Sequence, residues 1–497
     1  MEESLLAILM THWVPITGTL VFGYCLSNII YNLYLHPLAK FPGPLLARAT
    51  HLWRFKNTMS GRQHRIFRAE HQKYGDVFRV SPNELSFASV QSYRDIYGFP
   101  PAGQPQFIKS DFYDVFGSGF KTGCIGSERD PKVHASKKKN LLAAFSPRSL
   151  TAQESIIQRC TDAFVAKVGP LSRKDKAGID MTKWFEMNAF DLLGEMAFGE
   201  SFGCVAEEKH HFWIDLILTH LREIVLVDNL RRFRLLAMLG KLLLPSLVTK
   251  VRATHQRYSR DKVKSRLESK SSRQDFFTNI VAKVKSDDIG LEEMTAHAST
   301  LIIAGGETTA TTLAATLYYA LRSPEVRSKL TNEIREHYKS YDEIDSVSAL
   351  QLSYLQAVIN EALRIHPSGA GGFPRISPGA IVDGHWVPAG TEVYTSTWSV
   401  SHDERYFADP DVFKPERWID PECKDIKEAS QPFSLGYRAC IGRSFAFVEM
   451  SLVLAKLFYS YDMNLVDQDL DWENGSRHWV MWWKAPVRIH ARDAFLP

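Results

Sequence analysis

Cysteine is scarce in this 497-residue chain, and its six cysteines are scattered along the whole length: Cys25, Cys124, Cys160, Cys204, Cys423 and Cys440. The sequence has no C-x-x-C pair and none of the tight Cys/His spacing that a zinc site needs. We therefore expect neither a disulfide scaffold nor a zinc module. Each cysteine is by default a small buried hydrophobic residue unless its surroundings in the sequence say otherwise.

A large charge excess is also missing. Lys and Arg number 60 and Asp and Glu number 56, which leaves a formal charge of only +4. Residues 250–273 form the one basic run of note, with nine cations and two anions, but no aromatic platform is interleaved with them. Such runs are usually a solvated helix face, so the sequence predicts no nucleic-acid partner. Hydrophobic residues make up 45% of the chain, which is typical of a globular protein.

Residues 4–39 contain no Asp, Glu, Lys or Arg and are mostly apolar. This length is sufficient to cross a bilayer core of roughly 30 Å as a helix, and no basic leader or cleavage site marks a secretory signal. We predict a membrane anchor over residues 1–36, a proline-rich hinge over 37–48 and one domain over 49–497. A buried core helix is the alternative for the first segment. Lys40, Arg48, Arg54 and Lys56 follow the segment, so the positive-inside rule predicts a cytosolic domain.

The pattern beyond residue 49 predicts a mainly α fold with small β-sheets in one large domain. Long apolar or amphipathic stretches predict helices over residues 149–168, 181–198, 212–226, 291–321, 353–365 and 441–458. Shorter β-like runs cover residues 77–80, 84–87, 381–386, 392–395, 479–483 and 487–490. The runs over 77–80 and 84–87 are expected to pair with each other, and so are the runs over 479–483 and 487–490. No internal repeat or low-complexity linker divides the chain.

The most informative segment is Phe433-Ser-Leu-Gly436-Tyr-Arg438-Ala-Cys440-Ile-Gly442. Cys440 stands just before a predicted helix, whose backbone N–H dipoles favour a thiolate over a thiol. Gly436 permits a tight turn, and Gly442 permits another group to approach the backbone closely. A thiolate in that setting, with Arg438 nearby to meet an anion, is what an axial ligand of haem iron requires. The alternative is a buried structural cysteine.

Three further motifs stand upstream. Glu361-Ala-Leu-Arg364 places opposite charges three residues apart on one predicted helix, where they can pair. Pro415-Glu-Arg417-Trp418 follows it. The third is Ala304-Gly305-Gly306-Glu307-Thr308-Thr309, in the middle of the predicted helix over residues 291–321. Its two glycines cost about 2 kcal/mol of helix propensity relative to alanine, so a reason to open the helix there is expected.

Together the four motifs resemble the cytochrome P450 family in order and spacing. The cysteine segment resembles its F-x-x-G-x-R-x-C-x-G signature, and the others resemble E-x-x-R, P-E-R-[FW] and [AG]-G-x-[DE]-T-[TS]. The resemblance covers nearly the whole chain and implies the P450 fold with a thiolate-ligated haem b. It implies a structural triad formed by Glu361, Arg364 and Arg417.

The resemblance also implies roles at the haem. It makes Cys440 the iron ligand, with Phe433 and Gly442 part of the haem-binding segment. Glu307 is then the acid and Thr308 the alcohol of a proton-delivery pair, although a packed helix with locally bonded Thr hydroxyls is the alternative. The positions that match haem-propionate partners are Arg438, Arg375, His134 and Lys138. The last two replace the family's usual W-x-x-x-R pattern and lose the forked guanidinium.

The implied activity is that of a membrane-anchored haem-thiolate monooxygenase in the endoplasmic reticulum. The aromatic loop over residues 99–126 and the glycine-rich residues 368–373 indicate a pocket for an apolar small molecule. The segment over residues 34–44, YLHPLAKFPGP, resembles fungal members of the family that modify terpenoid, polyketide or alkaloid metabolites. The chain is similar overall to trichothecene-pathway hydroxylases.

No flavin, dinucleotide or iron–sulfur motif occurs, so electrons are expected from NADPH-cytochrome P450 reductase. Lys132, Lys137, Lys139 and Arg443 are expected to offer positive charge to an acidic patch of that reductase. Two alternatives are an O2-independent rearrangement or dehydration enzyme and a haem carrier or sensor.

Overall fold

Helices form most of the computed structural model, which describes residues 2–117, 120–233, 237, 245–269, 275–286 and 288–495. Lys270 and Arg273 of the basic run lie outside these residues. A π-helical turn, Tyr31–Leu35, extends the first helix. The described α-helices are α1 (Glu2–Ile30), α2 (Leu45–Ala49), α3 (Leu52–Met59), α4 (Gln63–Tyr74), α5 (Val90–Tyr97), α6 (Phe112–Phe116), α7 (Pro131–Leu142), α8 (Pro147–Lys174), α9 (Met181–Phe198), α10 (Cys204–Glu207), α11 (Phe212–Arg231), α12 (Pro245–Glu268), α13 (Thr278–Lys285), α14 (Leu291–Arg322), α15 (Pro324–His337), α16 (Ser346–Ala349), α17 (Ser353–Ile365), α18 (Thr397–Ser401), α19 (Arg443–Ser460) and α20 (Trp472–Gly475).

The strands are short and form small sheets. They are β1 (Val77–Ser81), β2 (Glu84–Phe87), β3 (Ile108–Lys109), β4 (Ile179–Asp180), β5 (Arg375–Ile376), β6 (Ala380–Val382), β7 (His385–Val387), β8 (Glu392–Thr395), β9 (Tyr461–Leu465), β10 (Arg477–His478), β11 (Trp482–Trp483) and β12 (Arg488–Asp493). The largest sheet has the order β1-β2-β8-β5-β3, and a second has the order β4-β12-β9. Strands β2 and β8 pair in parallel, and the other pairs of the largest sheet are antiparallel.

Several helices begin with a polar cap followed by proline. Asp130 accepts hydrogen bonds from the first turn of α7, Ser146 does the same for α8, and Ser323 for α15. Each is followed by proline, whose missing N–H would have no partner at that position in any case. Helix α9 ends differently, at Gly199 in the left-handed conformation.

Helix α14 runs through the main hydrophobic core and positions the central motifs. It packs along α9 and also contacts α17 and α19. Most of its side chains are buried, which matches its run of Leu, Ile, Ala and Thr residues. Helix α17 carries Glu361 and Arg364, while Cys440 lies in the loop just before α19. The fold therefore brings together three segments that are far apart in the sequence.

The predicted helices agree with the structure, and two of them, Met181–Phe198 and Ser353–Ile365, agree to the residue. Two strand predictions were wrong. Residues 381–386 form a hairpin rather than one strand, because Asp383 and Gly384 turn the chain with positive φ angles of 48° and 75°. The runs over 479–483 and 487–490 do not pair with each other: β11 pairs with β10, and β12 pairs with β9 and β4.

The N-terminal segment contains one helical span, Pro15–Leu35, that is long and apolar enough to cross a membrane. No part of the most apolar stretch of this span is buried against the rest of the protein. This exposure contradicts the alternative of a buried core helix. The segment after it is attached to the domain: Leu38 and Phe41 are buried in a core cluster with strands β1 and β2. The Asn32 side chain donates to the carbonyl of Ala49, and the buried Arg79 guanidinium donates to the carbonyl of Asn32 over 2.7 Å.

Candidate active site

The loop before α19 has a conformation that only certain residues permit. Gly436 has φ of 66°, and a Cβ on it would lie 2.3 Å from the carbonyl oxygen of Tyr97. Any side chain here would therefore clash with rigid backbone. The loop closes on itself because the Cys440 N–H donates to the carbonyl of Phe433 over 2.8 Å.

The Cys440 thiol faces opposing influences. Burial raises its pKa, whereas the backbone N–H groups of Gly442 and Arg443 lower it. The positive charges of Lys138 and Arg443 act in the same lowering direction. Burial outweighs these effects, so the pKa of the Cys440 thiol is raised overall, and a cation bound to the sulfur is what would stabilise the thiolate.

Cys440 opens into a cavity of about 400 Å³. Thr308 lines the same cavity from α14, and Phe433 lines it from the loop, whereas Gly442 lies beside the sulfur and outside the lining. Further lining residues from the predicted pocket segments are Phe112, Tyr113, Phe116, Leu301, Ala304, Ser368 and Gly369. The other aromatic residues of the predicted loop, Phe99, Phe107 and Phe120, are not among the lining residues.

All four predicted propionate partners line this cavity, together with Lys109. The Nε atoms of Arg375 and Arg438 are both buried and have no hydrogen-bond partner among the described residues. Burial lowers the pKa of Arg438 to about 10, and the charge of Arg375 adds to this effect. A buried group of like charges needs an anion. Two unsatisfied guanidinium donors beside a cysteine-lined cavity fit the two propionates of a haem.

His134 and Lys138 take different places in this group. Burial lowers the pKa of His134 to about 3, with the charge of Arg438 as the next cause, so its imidazole is neutral and offers a hydrogen bond rather than a charge. Lys138 donates to the carbonyl of Tyr437 over 2.8 Å and so ties helix α7 to the cysteine loop. Arg438 makes a similar tie through the carbonyls of Glu128 and Arg129.

Glu307 and Thr308 face different cavities although they are neighbours. The Thr308 hydroxyl lines the large cavity and donates to the carbonyl of Ala304 over 2.6 Å. Glu307 lines a separate small cavity and pairs with the buried ammonium of Lys484. Burial raises the pKa of Glu307 to about 7 against the opposing charge of Lys484, so the carboxyl exchanges a proton near neutral pH.

Glu361, Arg364 and Arg417 meet as a fully buried triad. Arg364 binds both oxygens of Glu361, at 2.7 Å and 2.9 Å, and the Nε of Arg417 lies 3.0 Å from the Oε1 of Glu361. The Trp418 indole donates to the same carboxylate. Arg417 also pairs with Asp425. The triad joins α17 to the segment that leads into the cysteine loop.

Sequence reasoning gave no role to three charged residues of these cavities. Lys109 stands in the aromatic loop of the sequence with no motif around it, but it is buried beside Arg375 and Arg438, and burial lowers its pKa well below the usual value. Lys484 and Glu186 had no motif to mark them. An expectation that Lys137 offers charge to a reductase is wrong, because its ammonium is buried against Thr122, Glu128 and Glu293.

Cys440 stands at the start of a helix and lines a cavity that the buried cations Lys109, Arg375 and Arg438 also line. This combination defines a haem-thiolate protein. Comparison with known proteins agrees: the Cytochrome P450 family model matches residues 41–487. The chain is 54% identical to cytochrome P450 monooxygenase ORF9 of Penicillium roqueforti, over 95% of this chain and 92% of that protein. It is 50% identical to cytochrome P450 monooxygenase BOT4 of Botryotinia fuckeliana, over 91% and 86%. The chain belongs to the cytochrome P450 family and is a haem-dependent monooxygenase.

Proposed function

We propose that this enzyme inserts one oxygen atom from O2 into an apolar small molecule of fungal secondary metabolism. The observation that carries the proposal is the position of Thr308, which lines the same cavity as Cys440 and is preceded on α14 by the ionisable Glu307. The relatives support it, because those with high identity are monooxygenases of fungi. An enzyme that rearranges its substrate without O2 has no need of such a pair.

The haem, when bound, supplies O2 activation. Around it, the Cys440 thiolate holds the iron, while Arg375 and Arg438 hold the propionates through donors that are otherwise unsatisfied. The Thr308 hydroxyl positions a proton on the cavity side of α14. Glu307 supplies protons to that hydroxyl, which is the work of a general acid whose pKa lies near the working pH.

The cavity favours an apolar substrate. Its lining includes the apolar side chains of Phe112, Phe116, Leu301 and Ala304, and glycines contribute little bulk to the wall after α17. Another part of the wall is ionic, but its charges pair with one another. In this ionic group Arg54, Glu84, Asp228 and Glu392 line the cavity, and Arg232 pairs with the three carboxylates without lining it. Since these side chains satisfy each other, they do not demand a charged ligand.

Electrons come from NADPH-cytochrome P450 reductase in this proposal. A docking flavoprotein would approach the cysteine side of the domain, where Lys132, Lys139 and Arg443 are exposed. These cations lie on α7 and at the start of α19, next to the haem-binding loop. They would attract an acidic partner surface.

The proposed location is the endoplasmic reticulum membrane, with a single span and a cytosolic domain. Of the four cations that follow the span, Arg54 is buried in the ionic group, so Lys40, Arg48 and Lys56 carry the positive-inside argument. The limits 1–36, 37–48 and 49–497 for anchor, hinge and catalytic domain belong to this proposal.

Two deletions test the anchor. Removal of residues 1–29 takes away most of the span but keeps Asn32, so the protein should leave the membrane fraction and still bind haem. Removal of residues 1–36 also takes the carbonyl that Arg79 binds. Arg79 keeps its hydrogen bonds to the carbonyl of Pro82, but one of its buried nitrogens loses its acceptor. An unsatisfied buried donor costs about 1–3 kcal/mol, so this version should melt at a lower temperature. Sedimentation with membranes and thermal loss of the haem absorbance measure both effects. Unchanged membrane binding in both would overturn the anchor.

Replacement of Thr308 by alanine tests the reaction. The variant should bind haem and consume NADPH, while product per NADPH falls by about tenfold or more and hydrogen peroxide rises, because a positioned donor is lost. Thr316→Ala is the matched control, since the Thr316 hydroxyl makes the same bond to the preceding turn, 2.7 Å from the carbonyl of Thr312, and does not line the cavity. An unchanged product ratio in Thr308→Ala would contradict the proposed reaction.

A further inference from the structure

Behind Glu307 lies a buried lysine that joins two carboxylates. Lys484, in the segment between β11 and β12, is fully buried, and its ammonium binds the Oε1 of Glu307. The same ammonium is 2.8 Å from the Oε1 of Glu186, which α9 supplies. Removing an ammonium from water costs several kcal/mol unless partners surround it. Lys484 therefore needs both carboxylates, and it holds them next to each other.

The chain of charged groups continues from Glu186 to the surface. The second oxygen of Glu186, Oε2, lies 3.1 Å from the Nε2 of His210. The other ring nitrogen, Nδ1, lies 3.4 Å from the Oδ1 of Asp215, whose side chain is 73% exposed. Ionisable groups thus follow one another without a gap from solvent to the acid on α14.

A small cavity connects the two carboxylates by a second route. It has a volume of about 20 Å³, and Glu186 and Glu307 line it together with Gly306 and a few apolar side chains. This volume is sufficient for one water molecule with polar partners. Such a water would pass a proton between the two acids while Lys484 keeps its charge.

The electrostatics place one proton at the inner end of this chain. Burial raises the pKa of Glu307 to about 7. Burial also raises the pKa of Glu186, but the charge of Lys484 and the hydrogen bond from His210 outweigh it and bring that pKa to about 2. The two acids and Lys484 therefore carry no net charge when Glu307 is protonated. Glu186 also raises the pKa of His210, against its burial, so His210 readily takes a proton from solvent.

We propose that His210 and Glu186 form a proton path from the surface to Glu307. Lys484 is the residue that holds the carboxylates of Glu186 and Glu307 next to each other. In one delivery Glu307 releases its proton towards Thr308 and becomes a carboxylate. The Nε2 proton of His210 then moves onto the Glu186 carboxylate, Glu186 passes that proton on to Glu307 and is a carboxylate again, and Nδ1 of His210 takes a new proton from solvent beside Asp215. One proton crosses and no electrons move. This inference rests on the proposed role of Glu307 in the reaction.

The path can be measured in the resting haem-loaded full-length enzyme without turnover. The infrared difference between the wild type and Glu307→Gln isolates the C=O stretch of the protonated Glu307 carboxyl. Mixing with D2O shifts that band at the rate at which the proton exchanges. We expect His210→Gln and Glu186→Gln to slow the shift by about tenfold or more, as loss of a relay group does. Glu186→Asp keeps a carboxylate and should recover part of the rate.

Turnover supplies the second measurement. His210→Gln should lower kcat and enlarge the solvent isotope effect while KM stays the same. Lys209→Gln is the matched control, because it removes a charge from the exposed neighbour of His210 and should change neither measurement. His210 is only half-buried, so we expect His210→Gln to fold and bind haem. This variant therefore tests the proton path even if Glu186→Gln loses haem.

The outcomes separate this path from the proposed reaction. Wild-type exchange in His210→Gln, or the absence of a protonated Glu307 band at neutral pH, overturns the path. If exchange is unchanged while Glu307→Gln still turns over slowly, the role of Glu307 stands and the path alone fails. If Glu307→Gln turns over as the wild type does, the proposed role of Glu307 fails instead.

Discussion

Cys440→Ser should abolish activity and remove the red-shifted band of the reduced carbonyl complex. Cys440 is the only cysteine among the described residues that lines the large cavity, and the cations Lys109, Arg375 and Arg438 line the same cavity. Serine keeps the size of the residue but lacks a thiolate, so it cannot supply the same ligand. The carbonyl spectrum of membranes that contain the full-length protein measures the effect directly.

Cys423→Ser is the control for this variant. Cys423 is half-buried and does not line the cavity, so its replacement should leave the carbonyl band and the activity in place. Loss of the band in Cys423→Ser together with its survival in Cys440→Ser would contradict the assignment. Haem content must be measured in both, because a variant without haem shows no band of either kind.

Local motifs allowed much of the site to be predicted. The cysteine loop needs a glycine with positive φ at position 436 and a helix that begins just after Cys440. Both features can be predicted from neighbouring residues in the sequence. Glu361 and Arg364 lie on one turn of one helix, so their pairing follows from spacing alone. The helix bounds were predictable for a similar reason, because the apolar period and the Ser-Pro or Asp-Pro caps are local signals.

Contacts between distant segments could not be predicted in this way. Lys484 pairs with Glu307 and Glu186, which lie 177 and 298 positions away in the sequence. No local sequence pattern predicts contacts over such distances. The same holds for Arg54, whose partners Glu84 and Asp228 come from a strand and a helix. Lys137 illustrates the reverse case: a lysine in a basic helix looks exposed in the sequence, yet it is buried. The Asp383-Gly384 turn, in contrast, carried a local signal that could have corrected the strand prediction.

Glu361→Gln should destabilise the enzyme more than any other conservative variant considered above. Two fully buried guanidinium groups, those of Arg364 and Arg417, share this one carboxylate. The amide cannot balance their charge, and breaking a buried pair in this way costs about 3–5 kcal/mol. Since a domain is stable by only about 5–15 kcal/mol, a large share of the stability is lost. The cysteine loop should loosen as well, because Arg417 connects α17 to the segment before it.

The measurement is the temperature at which the haem absorbance is lost, at one fixed scan rate, because large proteins unfold irreversibly. Glu325→Gln is the matched control: Glu325 also pairs with a cation, Lys329, but its side chain is 74% exposed, and exposed pairs contribute little to stability. We expect a much lower midpoint and a lower haem content in Glu361→Gln and neither change in Glu325→Gln. Equal midpoints in the two variants would show that the triad is not what holds the cysteine loop. The triad touches neither the large cavity nor Thr308, so the folded fraction of Glu361→Gln should convert NADPH into product with the wild-type ratio.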